Sequence, residues 1–447
     1  MNQREYARFK RAMEWYSVDP AFREAVEKEP SDVFFRLGVT LKPSQVLDAI
    51  RCILGGNFNS ETAQENPYVK EYAHRNCMVS ERVRQRVRRE RFAADGIWQY
   101  SNIVRNRCRM ENQLIRMHSN IYFYPAVFEL SEGCRVQCPF CGLAAKPWSS
   151  NFRYTEENRT LWREVLQITR ELLGNVIDVS PCYFATEPLD NPDYEDFLRD
   201  AREVTGAVPQ TTTALAERYP ERIRSLMDFL GEKELEENNA LRISIRNLTQ
   251  FHRIMELYTP EELENVELLP NNPESVYKYS CSGRATKDGI WIPKEKTICY
   301  SISCLAGIRV NMAARTIAFV EPEQPDSEYP LGIRTREMLS FQDAESYRKG
   351  LIKLFQSYAF GSLPYYAPVQ INRNIRVETD EKEIRLLGDG IGYRIERNGM
   401  LMDALALLKE GICPIEIPEK VGVPKFMEEK LFQLLNELYI RGYLRLK

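Results

Sequence analysis

Apolar positions along the first 60 residues fall on a helical beat. Tyr6, Phe9, Met13 and Tyr16 recur at the spacing of one helix face, and Asp19-Pro20 breaks and restarts the pattern. The same spacing predicts helices over about 21–28 and 31–37, the latter stopping at Gly38, and another from Ser44 to Gly55-Gly56. Residues 1–60 are therefore expected to form an all-α unit. Between 61 and 120 the text stays helical and turns basic, with Arg82, Arg84, Arg86, Arg88, Arg89, Arg91, Arg105, Arg107 and Arg109. Two readings stand for that stretch: a docking surface for an acidic peptide, or a solvated helix whose arginines pair with nearby glutamates.

From Ile121 the period changes. Strand-like runs at 122–130, 176–184, 209–213, 241–245 and 266–269 alternate with helical ones at 161–173, 194–204, 221–230 and 248–257. Alternation of this kind predicts an α/β core with a parallel sheet and crossover helices, over about 121–365. Active groups then belong at the carboxyl ends of the strands. Two more strands are expected at 296–303 and 308–321, parted by Gly307. From about 366 the character shifts again. The text "IRVETDEKEIRLLGDGIGYRIE" reads as two or three short antiparallel strands with a tight turn at Asp389-Gly390. Helices follow near 400–409, 415–420 and from Val423 onward, with a last strand.

Composition narrows the class. A chain of 447 residues has room for about three domains of ordinary size. Hydrophobic content of 43% and charged content of 28% describe a globular protein. The polar start Met1-Asn2-Gln3-Arg4 and the lack of an 18-residue apolar run predict neither export signal nor membrane span. Eleven cysteines, an odd number, then point to reduced thiols in the cytoplasm. A net charge of −3 does not make the whole chain an electrostatic trap for nucleic acid. The three histidines, His74, His118 and His252, lie far apart, which leaves histidine-based metal sites without a basis.

The chemistry concentrates in Cys134-Arg-Val-Gln-Cys138-Pro-Phe-Cys141, directly after the first strand of the core. Structural zinc sites want four closed ligands, usually as two spaced pairs, and no matching pair follows. Iron–sulfur clusters are held by cysteine thiolates, usually four. A set of three leaves one iron open for a small molecule. The spacing, with Phe140 just before the last cysteine, resembles the signature of the radical S-adenosylmethionine (SAM) enzymes. That resemblance implies a partial (β/α)6 barrel holding one [4Fe-4S] cluster on Cys134, Cys138 and Cys141, with SAM on the open iron. Cys299 and Cys304 are only five apart and Cys413 stands alone, so a second cluster is not expected.

Other segments extend the likeness. Thr186-Glu187-Pro188 resembles the family's Gly-Gly-Glu-Pro turn, which holds the SAM amino group, with Ala185 and Thr186 where the two glycines stand. The resemblance implies that Arg246 pairs with the SAM carboxylate, that Ser244 reaches the ribose, and that Leu269 and Phe140 line the adenine. Arg246 and Ser244 are equally read as ordinary polar groups at a strand end. The run Cys304-Leu-Ala-Gly-Ile-Arg-Val-Asn-Met and the later Tyr329-Pro-Leu-Gly resemble the proteusin peptide epimerases. The N-terminal helices resemble Nif11-like leader segments. The C-terminal strands and helices resemble a winged helix of the leader-recognition kind, which takes an extended peptide at a sheet edge.

The implied activity is conversion of L- to D-residues in a ribosomal precursor peptide. A 5′-deoxyadenosyl radical removes a Cα hydrogen, and a cysteine thiol returns one to the opposite face. Cys304 is the first choice of donor; Cys281, Cys299 and Cys182 are the alternatives. A flavodoxin- or ferredoxin-like protein would supply the electron. Rival readings are a carbon–carbon or thioether cross-linking enzyme and a cluster-bearing regulator that binds peptide or DNA. Glu428, Glu429 and Glu437 on the last helix suit a groove of phosphates poorly, so nucleic acid is not expected as a partner.

Overall fold

The computed structural model describes residues 2–40, 42–55, 65–75, 124–276, 282–287, 305–323, 325–359, 362–373, 375–388 and 391–447. The arginine-rich stretch lies outside them. Four helices open the chain: α1 (Gln3–Val18), α2 (Pro20–Lys28), α3 (Pro30–Arg36) and α4 (Pro43–Gly55). Asp19 separates the first two because its carboxylate accepts from the Ala21 and Phe22 N–H groups while Pro20 starts the next helix. Their apolar faces, with Tyr68 and Val69, enclose a core of Tyr6, Phe9, Val26, Phe34, Val46 and Ile50.

This unit is fastened to the rest of the chain by cations on carbonyls. Arg11 is buried and donates from Nη1 to Met255 O (3.2 Å) and from Nη2 to Tyr258 O (2.9 Å). Lys10 Nζ donates to Leu263 O (2.9 Å) and Val266 O (2.8 Å). Trp15 stands edge-on to Phe251 at 4.8 Å, and Val18 belongs to the main core.

The core carries two sheets. One has the order β1-β7-β8-β9, with β1 (Tyr124–Glu129) parallel to β7 (Leu305–Asn311), and β8 (Thr316–Pro322) and β9 (Ile333–Ser340) antiparallel beyond it. The other is a parallel sheet of β4 (Thr211–Thr213), β5 (Leu241–Ile245) and β6 (Glu267–Pro270). Small β2 (Ser131–Glu132) and β3 (Ser150–Asn151) close the loop after β1. Residues 180–184 bridge the two sheets. The Phe128 N–H donates to Pro181 O and the Cys182 N–H to Gln210 O, each at 3.1 Å. The first strands therefore follow the chain in space, as 124–129, 180–184, 211–213, 241–245 and 267–270.

Helices α5 (Glu156–Leu173), α6 (Tyr194–Thr205), α7 (Pro220–Asn238) and α8 (Leu248–Leu257) connect them. Their stripes meet one face of the sheets in a core of Phe128, Trp162, Phe197, Ile243 and Phe251. Helix α9 (Ala344–Tyr358) covers β8 and β9, with Leu351 and Phe355 inside and Phe355 edge-on to Phe319.

Two expected strands differ. Over 176–184 only the last residues extend, because Gly174 ends α5 at φ +72° and residues Gly174–Val179 continue as a 3-10 turn. The run 308–321 is a hairpin rather than one strand. The Asn311 side chain accepts from the Ala314 N–H (2.8 Å), turning the chain at 312–315, while Gly307 lies inside β7.

The C-terminal module has its own core of Ile384, Leu386, Leu401, Leu405, Leu435 and Tyr439. Strands β11 (Arg376–Thr379), β12 (Glu383–Gly388) and β13 (Ile391–Glu396) form a meander, followed by α10 (Gly399–Glu410), α11 (Ile417–Val421) and α12 (Lys425–Ile440). The last strand, β14 (Leu444–Leu446), pairs with β10 (Val369–Ile371) and not with the meander. Charge fastens the module to the core sheet. Arg336, paired with Glu321 inside the sheet (2.7 Å), donates to the Leu446 and Lys447 carbonyls, and Arg445 of the module pairs with Glu323. Among the described residues, no helix is long and apolar enough to cross a membrane.

Candidate functional site

The carboxyl ends of β1, 180–184, β4 and β5 share one rim, and the chain places its reactive side chains there. After β1 the backbone enters a closed ring. The Cys134 N–H donates to Lys146 O (2.9 Å), the Cys141 N–H to Cys138 O (3.2 Å) and the Ala144 N–H to Cys141 O (3.1 Å). Gln137 sits at φ +51° and spends its side-chain amide inside the ring. Its Nε2 donates to Cys134 O (2.6 Å), Ala145 O (3.1 Å) and Lys146 O (3.0 Å). Gly133 is required at the neck, since a Cβ there would fall 2.2 Å from Pro147 O. A loop this heavily bonded is built before any ligand arrives.

All three loop cysteines are free thiols and half-exposed. Burial pushes the Cys134 thiol up to about 11, helped by Glu187 and Asp190. It pushes Cys138 up to about 12, with Cys134 and Cys141 raising it further and Arg246 pulling it down. Three thiolates side by side therefore need a cationic partner. Among the described residues, no three histidine, cysteine, aspartate or glutamate side chains converge closely enough to share a single metal ion. A cluster asks for a different geometry, because each thiolate then binds its own iron and the sulfurs stand apart.

Glu187 lies across the rim from the ring. It is buried, and burial raises its carboxyl to about 7 against three hydrogen bonds. These come from Thr213 Oγ1 (2.6 Å), the Ala214 N–H (2.8 Å) and the Leu189 N–H (3.1 Å). Its oxygens thus tie the 186–188 turn to the end of β4, and Ala185 and Thr186 beside it are half-buried. Arg246, just past β5, pairs with Glu217, which Gln250 also holds at 2.9 Å. Its Nε is buried without a hydrogen-bond partner. Ser244 and Leu269 are register partners on adjacent strands, both half-buried on the face turned away from the helices. Phe140 is packed with Cys138 and Ala285.

Several contributors escape sequence reasoning. Glu129 is fully buried at the end of β1. It accepts from the Ala185 N–H (2.7 Å), Arg309 Nε (2.6 Å) and Asn311 Nδ2 (3.2 Å). Asn191, also fully buried, holds Leu130 O and Phe152 O at 2.8 Å each. The text "SGRAT" reads as a turn facing substrate, yet Gly283–Thr286 lies on the cysteine ring. The Arg284 N–H donates to Cys141 O (2.9 Å) and its Nε to Cys138 O (2.8 Å). Only the glycine and the neighbouring arginine hint at this in the text.

The site thus holds three free thiols in a rigid ring, and two guanidinium groups, of Arg246 and Arg284, each with a buried unpartnered nitrogen. Donors without acceptors beside thiols without a cation fit an iron–sulfur cluster carrying an anionic ligand. Of the hydrogen-donor candidates, Cys304, Cys281 and Cys299 lie outside the described residues. Leu305 pairs with Tyr124, at the end of β1 remote from the ring. Cys182 is buried in the main core.

No family model matches the chain, and no solved structure matches it. It is 29% identical over 462 residues to "Uncharacterized protein y4wI" of Sinorhizobium fredii (strain NBRC 101917 / NGR234), a match covering 98% of this chain and 87% of that protein.

Proposed function

We propose that the chain is a radical SAM enzyme that converts L-residues to D-residues in a ribosomally made precursor peptide. The observation carrying this reading is the prebuilt ring that offers the Cys134, Cys138 and Cys141 thiols at the carboxyl end of β1. These three would hold one [4Fe-4S] cluster. With SAM bound and an electron from a flavodoxin- or ferredoxin-like donor, the group supplies a 5′-deoxyadenosyl radical that removes a Cα hydrogen.

The protein's part is to bind and orient. Arg246, steered by Glu217, would take the SAM carboxylate, since a guanidinium suits a carboxylate bidentately. The Ala185–Thr186 backbone would take the amino group, because the Glu187 oxygens are engaged inward. Ser244 and Leu269 stand together for the ribose and adenine. Phe140 would close the adenine side only from beneath, through Cys138 and Ala285. The outer strands of the β11-β12-β13 meander offer an edge for the leader. Assignment of the hydrogen donor to Cys304 rests on resemblance alone, and the next residue, Leu305, pairs with Tyr124 at the end of β1 away from the ring.

Anaerobic turnover in D2O with SAM, dithionite and a synthetic proteusin-type precursor tests the reading. One deuterium per changed residue, on a D-configured Cα, is the expected product. Loss of hydrogen mass without any D-residue would replace epimerisation by cross-linking, and absence of 5′-deoxyadenosine would remove SAM chemistry altogether. A Cys304→Ala variant that still returns deuterium moves the donor to another thiol.

A further inference from the structure

The segment Ser282–Thr286 reaches the cysteine ring across separations of 139 to 147 positions, and Ser282 and Arg284 spend their side chains there. Ser282 Oγ donates to Gly142 O (3.0 Å), and the Arg284 N–H and Nε take Cys141 O and Cys138 O. Nη1 of Arg284 donates to Ala145 O (2.8 Å) and to Gln137 Oε1 (3.1 Å). One guanidinium therefore spans the ring from its second cysteine to its far side. Contact is close enough to demand glycine beside it: a Cβ on Gly283 would fall 2.4 Å from Gly142 O and 2.6 Å from Cys141 O. On the other side the Gly283 N–H is fixed to Pro330 O (2.7 Å). Ala285 seals Phe140 and Cys138 from above. Nη2 of Arg284 is left buried with no acceptor.

We propose that Arg284 is a positioning residue for the cysteine ring, its guanidinium locking the ring's carbonyls so that the three thiols face one iron–sulfur cluster, and its charge easing reduction of that cluster. The inference rests on the cluster reading above. A planar fork with five donors meets three acceptors at fixed angles, Cys138 O, Ala145 O and Gln137 Oε1, which an ammonium cannot imitate. Partners behind metal ligands set both how firmly the metal is held and how it titrates. A positive charge fixed beside a cluster favours the state carrying one more electron.

Full-length wild type, Arg284→Gln and Arg284→Lys are loaded anaerobically with ferrous iron and sulfide, desalted, and checked for fold by circular dichroism. Iron per chain and the midpoint potential, followed by electron paramagnetic resonance, are the readouts. Arg284→Gln is expected to hold iron about 10-fold or more weakly, with any remaining cluster titrating at a more negative potential. Arg284→Lys is expected to keep the potential and lose retention, because the charge stays and the fork goes. Wild-type retention in Arg284→Gln overturns the locking role, and an unchanged potential in it overturns the charge effect. Should that variant fail to fold, wild-type retention in Arg284→Lys overturns the locking role by itself. A wild-type chain that takes up no iron overturns the cluster reading and this inference together, whereas loading that is indifferent to Arg284 overturns the inference alone.

Discussion

The N-terminal helices and the C-terminal module both flank the core as small units with apolar centres of their own, and they differ in whether their apolar side chains enter the main core. At the N-terminus polar pairs share the joint with cations on carbonyls: Arg75 with buried Glu264 (2.9 Å), Asp19 with His252 (2.7 Å) and Arg4 with Glu261 (3.4 Å). Arg11 and Lys10 cap carbonyls near the ends of α8 and β6, and Val18 continues the main core. Withdrawing α1 would remove the donors to the Met255, Tyr258 and Val266 carbonyls, while Leu263 O would keep the Val266 N–H. At the C-terminus two ion pairs cross the joint, Arg445 with Glu323 and Arg373 with Asp326, while Arg336, held by Glu321 within the core sheet, donates to the Leu446 and Lys447 carbonyls, and the two apolar cores stay separate. A unit whose Trp15 and Val18 enter the main core suits a structural brace, whereas the module keeps its apolar core to itself. The likeness of the N-terminal helices to leader segments therefore does not translate into a free leader-like arm.

The sharpest test of that contrast is Phe9→Ala. Phe9 is fully buried and stacked on Tyr68 at 4.2 Å, so its removal is expected to cost about 3–5 kcal/mol. Because the brace is part of the core, urea unfolding followed by tryptophan emission should shift as a whole, Trp15 and Trp162 together. A separate early phase confined to Trp15 would break the comparison. Leu435→Ala, at a fully buried position of the module, is expected to cost about 2–5 kcal/mol. Residues 366–447 contain no tryptophan. Far-ultraviolet circular dichroism should thus show an early loss of helix while tryptophan emission holds its midpoint. Coincident transitions would mean the module is welded on like the brace.

The smallest effect is expected from Glu323. Burial holds its carboxyl above the usual 4.5, against the pull of Arg445. The docked chain therefore binds this proton more tightly than the unfolded one. The contribution is fully present below the ordinary carboxylate range and is lost as pH rises through the raised folded-state value. Glu323→Gln should flatten the decline in the module's transition as pH rises above the ordinary carboxylate range. An unaltered slope would assign the pH dependence to other groups.

What the text disclosed was whatever its chemistry keeps local. Helical spacing located α1 to α4, and β5 lies at Leu241–Ile245 where alternation puts it. The three cysteines share one loop because only seven positions separate the first from the last. Arg246 and Glu187 stood at strand ends by position, but their inward partners, Glu217 for one and Thr213 with Ala214 for the other, arise only when neighbouring strands align. Segment 176–184 misleads because β-branched residues favour a strand wherever they occur, while the outcome was decided by a glycine that ended α5 at φ +72°. Arg284 was hidden for a plainer reason. Its partners lie about a third of the chain away, and no periodicity links a turn to a loop at that separation.

The bridge formed by residues 180–184 has a mechanical meaning. On each side of it a ladder of strand pairing gives way to one backbone hydrogen bond, from Phe128 to Pro181 and from Cys182 to Gln210. A continuous sheet resists shear as a plate, but a plate scored along one line bends there first. The score runs straight to the 185–188 turn, between the cysteine ring on one half and Arg246 on the other. At the rim that line is pinned again, by the Ala185 N–H on Glu129 and by Thr213 and Ala214 on Glu187, so the scored plate is latched at the edge that carries the ring.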